Sequence, residues 1–272
     1  MDANKLTLAE MAFEVLTTAE GKAKTDLSLR HAKTWVQSRN EKKSIAIGTA
    51  VPPLHPARPQ HPQLLSPRDV PKRKPGSVEG RIALLHAVAH IELNAVDLHW
   101  DIIARFSDVP LPLGFFDDWV KAASEESKHF KLVSSCLEQM DSYYGALSAH
   151  AGMWRAAEDT KSDLLGRLAV VPMVLEARGL DVTPNMIEIF RRAKADEAVA
   201  RLRLFTAKRY PMSLTDQSGL IFCVGAMTWT QRKSSTIWSE NTSKETSNLL
   251  SMKKNALTLD CPRTSTGLYP RS

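Results

Sequence analysis

The sequence has few cysteines and lacks a long apolar run. Its three cysteines, Cys136, Cys223 and Cys261, fit no metal-binding spacing, and their odd number argues against a disulfide framework. The most apolar stretch, residues 219–229, is about half the roughly 20 residues needed to cross a bilayer. No apolar segment of signal-peptide length stands near the N-terminus. We therefore expect a soluble cytoplasmic protein with no membrane partner.

Several functional motifs are also missing. The sequence contains no P-loop, no Gly-x-Gly-x-x-Gly and no Gly-x-Ser-x-Gly, so the common phosphate loops and the nucleophile elbow are excluded. The net charge of +6 comes mostly from residues 206–272, which hold nine Lys or Arg against four Asp or Glu. Residues 1–205 are nearly neutral, and their charge gives no support for a nucleic-acid partner.

The chain divides into three predicted parts. Residues 1–76 combine N-terminal helices, with a capping box of Thr7 and Glu10, and a strap that contains eight of the fifteen prolines. We expect that strap, residues 51–76, to be extended over the surface. Residues 77–205 are predicted to form a helical bundle. Residues 206–272 read as an irregular, basic tail rich in Ser and Thr.

Apolar residues recur at helical spacing over residues 81–106, 116–144 and 153–178, and Thr183-Pro184 has the signature of a further helix start. Short breaks separate these long runs, and no alternating strand pattern is present. The pattern predicts an all-α fold, an antiparallel helical bundle.

Each long run carries a glutamate on its apolar face: Glu92, Glu126 and Glu176. A buried carboxylate must be paired, protonated or bound to a metal. Glu126 and His129 form a Glu-x-x-His motif, in which both side chains reach the same ion. A carboxylate–imidazole set suits iron, manganese or zinc. The alternative is that each glutamate is partly exposed or salt-bridged, since a single Glu-x-x-His in a helix is common.

Three other histidines are weaker candidates for metal ligands. His86 and His90 lie four residues apart, but well around the helix from Glu92, which favours structural hydrogen bonds over metal binding. His150, close to Gly152, is interpreted as a turn residue. The alternative is that it hydrogen-bonds to a metal ligand without binding the metal itself.

The sequence resembles the ferritin-like proteins catalogued as domain of unknown function 455, from about residue 6 to about residue 202. The matching motifs are PKRK at 71–74, GRIALLHA at 80–87, AHIELNA at 89–95, EESKHF at 125–130, YYGAL at 143–147 and VPMVLEARGLDVTP at 171–184. The last of these is the most specific.

The resemblance implies a ferritin-like bundle with a di-iron carboxylate site, similar to tRNA hydroxylases that use dioxygen. Carried over to this sequence, the metal ligands are Glu92, Glu126, His129 and Glu176. The implied function is a metal-dependent oxidoreductase, hydroxylase-like, whose substrate, a small molecule or an RNA, stays open.

The sequence departs from this family on the last bundle helix. The family pattern requires a second Glu-x-x-His there, but all eight histidines lie at or before His150. We therefore expect an incomplete last helix and a metal site that is partial or absent. A shifted reading frame, a retained intron or an alternative exon would explain the tail. The alternative functions are a non-catalytic helical binding module or a truncated isoform, with possible self-association through exposed apolar surface.

Overall fold

The computed structural model describes residues 6–43, 45–66, 68–71, 73–74, 76–150, 152–170 and 187–192. In chain order its elements are α1 (Leu8–Thr17), α2 (Gly21–Asn40), β1 (Leu64–Leu65), α3 (Val78–Arg105), α4 (Leu113–Glu138), β2 (Ala149–His150), α5 (Gly152–Asp159) and α6 (Leu164–Leu168). Residues 187–192 are also helical. Within these ranges, no helix combines the length and the apolar character needed to span a membrane. The prediction of an all-α bundle is confirmed.

The capping box predicted at the start of α1 is present. The Oγ1 of Thr7 accepts a hydrogen bond from the Glu10 amide at 3.3 Å, and Oε2 of Glu10 accepts one from the Thr7 amide at 2.8 Å. This exchange satisfies two backbone donors that the helix itself leaves open. It fixes the start of α1, whose buried face is Leu8, Ala9, Met11, Ala12, Val15 and Leu16.

The antiparallel helices α3 and α4 form the centre of the bundle. Ser77 caps α3 by accepting the Gly80 amide at 3.0 Å. α4 ends at Glu138 rather than near residue 144, because the chain turns through Asp141, whose φ is +54°. The core between them contains Leu85, Val88, Ala89 and Leu93 of α3, Phe130, Val133, Cys136 and Leu137 of α4, and Phe190 from helical residues 187–192.

The third long helix, predicted over residues 153–178, is wrong as a single element. The chain breaks between α5 and α6, at residues 160–163. The hydroxyl of Thr160 donates to the Ala156 carbonyl at 2.7 Å, and Arg167 donates to Thr160 Oγ1 at 2.9 Å and to the Ala157 carbonyl at 2.6 Å. Side chains therefore satisfy the last carbonyls of α5 and end that helix. Residues 171–178 and the predicted start at Thr183-Pro184 lie outside the described residues.

The Pro-rich strap is extended, as predicted. Its described residues form no helix, and its one short strand, β1, pairs in parallel with β2. Two polar contacts hold the strap near its start: the Ala57 amide donates to the Leu16 carbonyl at 2.7 Å, and Trp154 Nε1 donates to the Leu54 carbonyl at 3.2 Å. The last bundle helix and the tail lie outside the described residues, so the predicted division at residues 76 and 205 stays a prediction.

His86 and His90 make structural hydrogen bonds, as the sequence favoured. Nε2 of His86 accepts the Gly145 amide at 2.9 Å. The two ring nitrogens of His90 contact the Tyr144 hydroxyl at 2.9 Å and the His150 carbonyl at 3.0 Å. His150 belongs to β2, and its Nδ1 accepts the Gly152 amide at 3.3 Å, a local bond consistent with a turn residue. Burial, with a smaller contribution from Arg73, lowers the pKa of His86 to about 4.

Acid is expected to weaken the fold through His86. Its pKa is near 6.5 in an unfolded chain and about 4 when folded, so its contribution is complete above pH 6.5 and is lost as the pH falls toward 4. A His86→Gln variant keeps a side-chain hydrogen-bond acceptor at this position but does not titrate. In urea unfolding across that range, the wild type should lose stability more steeply than the variant. Parallel curves would contradict the assignment.

Candidate metal centre

Glu92 is buried on the apolar face of α3. The predicted face of Leu85, Val88, Ala89 and Val96 is buried with it, and Glu92 itself is 1% exposed. The spacing of three and four residues places all five side chains on one face of the helix. The carboxylate is thereby directed into the helix interface.

Glu126 and His129 occupy the facing stripe of α4. The predicted face of Trp119, Ala122, Val133 and Leu137 is buried around them, and their own exposures are 0% and 3%. Nδ1 of His129 lies 2.9 Å from Oε2 of Glu126 and 3.4 Å from Oε2 of Glu92. The structure therefore brings together three of the four predicted ligands, from two helices.

The two carboxylates control the protonation of His129. Burial alone lowers the pKa of this imidazole, but the hydrogen bonds that Glu126 and Glu92 accept from it, reinforced by their charges, raise it to about 9. At neutral pH, without a metal, His129 is thus protonated next to the two carboxyl groups. This arrangement favours a cation at the same place, since two buried carboxylates require compensating charge.

The donor atoms have the spacing and chemistry of a metal site. One oxygen of each glutamate and one nitrogen of His129 all lie within 4.8 Å of one another. Ligands bound to one ion at about 2.1 Å lie at most about 4.2 Å apart, so the observed spacing is close to that of a coordinated set. Two carboxylates and an imidazole fit iron, manganese or zinc.

Glu176, the fourth predicted ligand, lies outside the described residues. Its place in the site stays a prediction, as does the burial of its stripe beyond residue 170.

A hydrogen-bonded network lies directly beside Glu126. The hydroxyl of Ser127 lies within hydrogen-bond distance of Ser28 Oγ, at 2.8 Å, and of the Ala123 carbonyl, at 2.7 Å. Nε1 of Trp100 donates to the same Ser28 oxygen at 2.8 Å. These contacts join α2, α3 and α4, and so fix the relative positions of the two helices that carry the candidate ligands.

The sequence analysis missed a second set of buried carboxylates on α3. Asp97 and Asp101 are both fully buried. Asp97 pairs with Lys24 at 2.5 Å and lies 3.7 Å from Arg58; Asp101 pairs with Arg105 at 2.6 Å and with Arg167. The available signal was two acidic residues four apart within an apolar run. Their basic partners come from distant segments, which no local pattern predicts.

These features define a class: an all-α bundle with a buried carboxylate–imidazole group between its central helices. The chain belongs to the family described as Protein of unknown function (DUF455), whose model matches residues 17–207. The matched region includes every candidate ligand.

A curated relative is known from Haemophilus influenzae, described as an uncharacterized protein. It is 45% identical over 148 residues, which cover 53% of this chain and 51% of that protein. The chain therefore spans about half the length of this relative. No solved structure matches the chain significantly.

Proposed function

We propose that this chain is a ferritin-like metal protein with a metal-dependent oxidoreductase function, hydroxylase-like in its chemistry. The observation that carries the proposal is the buried group of Glu92, Glu126 and His129 between α3 and α4. Glu176 is the proposed fourth ligand. No residue after His150 supplies an imidazole, so this ligand set suits one ion per chain.

The residues of the site have distinct roles in this proposal. Glu92 and Glu126 supply negative charge that holds the cation. With a metal bound, His129 would be a neutral nitrogen ligand whose proton has been released to solvent, as metal binding generally requires. The surrounding apolar side chains exclude bulk water. A bound iron would supply one-electron and dioxygen chemistry.

Metal content of the purified full-length chain tests the proposal. Protein from iron-supplemented cells, measured by plasma mass spectrometry, should contain about one transition-metal ion per chain. Glu126→Gln should abolish this binding, because it removes a carboxylate charge and one ligand. Glu125→Gln is the matched control, since Glu125 is the adjacent residue, only partly buried, and pairs with Lys128. It should retain the metal.

Two outcomes would decide against the metal site. If the wild type holds no more metal than Glu126→Gln, while both are helical by circular dichroism, the group is an ion pair only. Equal loss in Glu125→Gln would show that the effect is not specific to the site.

The missing second Glu-x-x-His favours an alternative, a non-catalytic helical binding module. Anaerobic loading with ferrous iron followed by exposure to air separates the two. Oxygen uptake that depends on Glu126 supports the oxidoreductase, whereas bound iron without uptake supports the module.

A further inference from the structure

A cavity of about 690 Å³ lies between the strap and α5, away from the candidate metal centre. Its walls include Arg58, Leu64, Asn94, Trp154, Arg155 and Glu158. His90 and Asn94 contribute from α3. Each is two residues from Glu92, which corresponds to about 200° around the helix, so the cavity and the metal group face opposite sides of α3. The volume is that of a small-molecule site.

The described side chains around Arg58 carry more positive than negative formal charge. Among the described residues, Arg58 and Lys24 share one carboxylate, Asp97, so these three side chains have a formal net charge of +1. The guanidinium donates from Nη2 to Asn94 Oδ1 at 2.6 Å, and this is its one hydrogen bond to a residue in the described part of the chain. Its side chain is 22% exposed. A planar, partly desolvated guanidinium with donors to spare is suited to a carboxylate or a phosphate.

The α5 side of the cavity adds a second cation. Arg155 forms no ion pair with any residue that the structure describes, and its side chain is exposed at the rim. Glu158, the acidic residue in the wall, is held by Nδ1 of His55 at 3.0 Å. Leu64, Leu65, Pro56 and Trp154 supply apolar surface beside these charges.

We propose that this cavity binds a small organic anion, in which a phosphate or carboxylate group is carried on an apolar body. The anionic group pairs with Arg58 and Arg155, and the apolar body packs on Trp154 and the leucines of the strap. The site is independent of the proposed metal function.

Calorimetric titration of the full-length chain with 1-naphthyl phosphate, 1-naphthoate and neutral 1-naphthol tests this assignment. At least one of the two anions should bind with 1:1 stoichiometry, more tightly than naphthol, and binding should weaken as salt is added. Comparison of the two anions tells whether the site prefers phosphate or carboxylate.

Variants locate the binding. Arg155→Ala should weaken anion binding about tenfold, the effect of losing one charge-assisted contact, and leave naphthol unchanged. Lys161→Ala, an exposed cation just beyond α5 that does not line the cavity, should change nothing. Glu126→Gln should also bind normally, which separates this site from the metal centre. Naphthol binding as tightly as the anions, or Arg155→Ala binding like the wild type, would overturn the proposal.

Discussion

Replacement of Asp101 by alanine is expected to lower the free energy of unfolding by about 3–5 kcal/mol, the range for breaking a buried ion pair. Asp101 accepts from Arg105 and Arg167, and both Asp101 and Arg167 are 0% exposed. Burial lowers the pKa of Arg167, and the Asp101 charge opposes that shift. Without Asp101 the guanidinium would stay buried with carbonyl and hydroxyl acceptors but with no opposite charge from the described residues.

Denaturant unfolding at neutral pH measures this loss, and an exposed ion pair provides the control. Asp26 on α2 pairs with Lys131 on α4 at 2.6 Å, with side-chain exposures of 34% and 44%. Asp26→Ala should change the stability by less than about 1 kcal/mol, because water screens the pair. Similar losses for the two variants would show that burial does not decide the strength of the Asp101 contacts.

The helices of the fold were largely predictable because their signals are local. α1 begins at the capping box that the sequence predicted from Thr7 and Glu10. α3 begins after Ser77, at the predicted boundary between the strap and the bundle. The errors are local too. The end of α4 depends on Asp141, whose backbone is in the left-handed region. The break after α5 depends on Arg167, whose side chain donates hydrogen bonds back to Thr160 and Ala157. Helical periodicity contains no information about a side chain that returns to cap the preceding helix.

The candidate metal ligands were predictable for a related reason. Glu92, Glu126 and His129 interrupt apolar stripes, and a polar residue on such a stripe is visible in the sequence. The buried ion pairs were not predicted, because Lys24, Arg58 and Arg167 lie 73, 39 and 66 residues from their partners on α3. The anion cavity was missed for the same reason, since it exists only where the strap crosses α5.

The Lys24–Asp97 pair is expected to show strong coupling in a double-mutant cycle. Asp97→Leu leaves the Lys24 ammonium, whose side chain is 1% exposed, without its carboxylate partner. Lys24→Met leaves the buried Asp97 carboxylate with Arg58 as its remaining described partner. Burial lowers the pKa of Lys24 and raises that of Asp97, so each charge depends on the other. Each single variant should lose about 3–5 kcal/mol, whereas the double variant should lie within about 2 kcal/mol of the wild type. Additive losses in urea unfolding would contradict this coupling.

The same double variant separates two roles of the Lys24–Asp97 pair: its contribution to the free energy of unfolding and its attachment of the strap to the bundle. Lys24 Nζ also donates to the Ala57 carbonyl at 3.0 Å, and Arg58, the next residue, lies against Asp97. With both charges removed, an apolar pair can still pack between α2 and α3, but the strap loses two of its polar attachments. We expect near-normal unfolding together with faster proteolysis within residues 51–66 and weaker naphthyl phosphate binding. Unchanged proteolysis would mean that backbone contacts, such as Ala57 to Leu16, are sufficient to hold the strap.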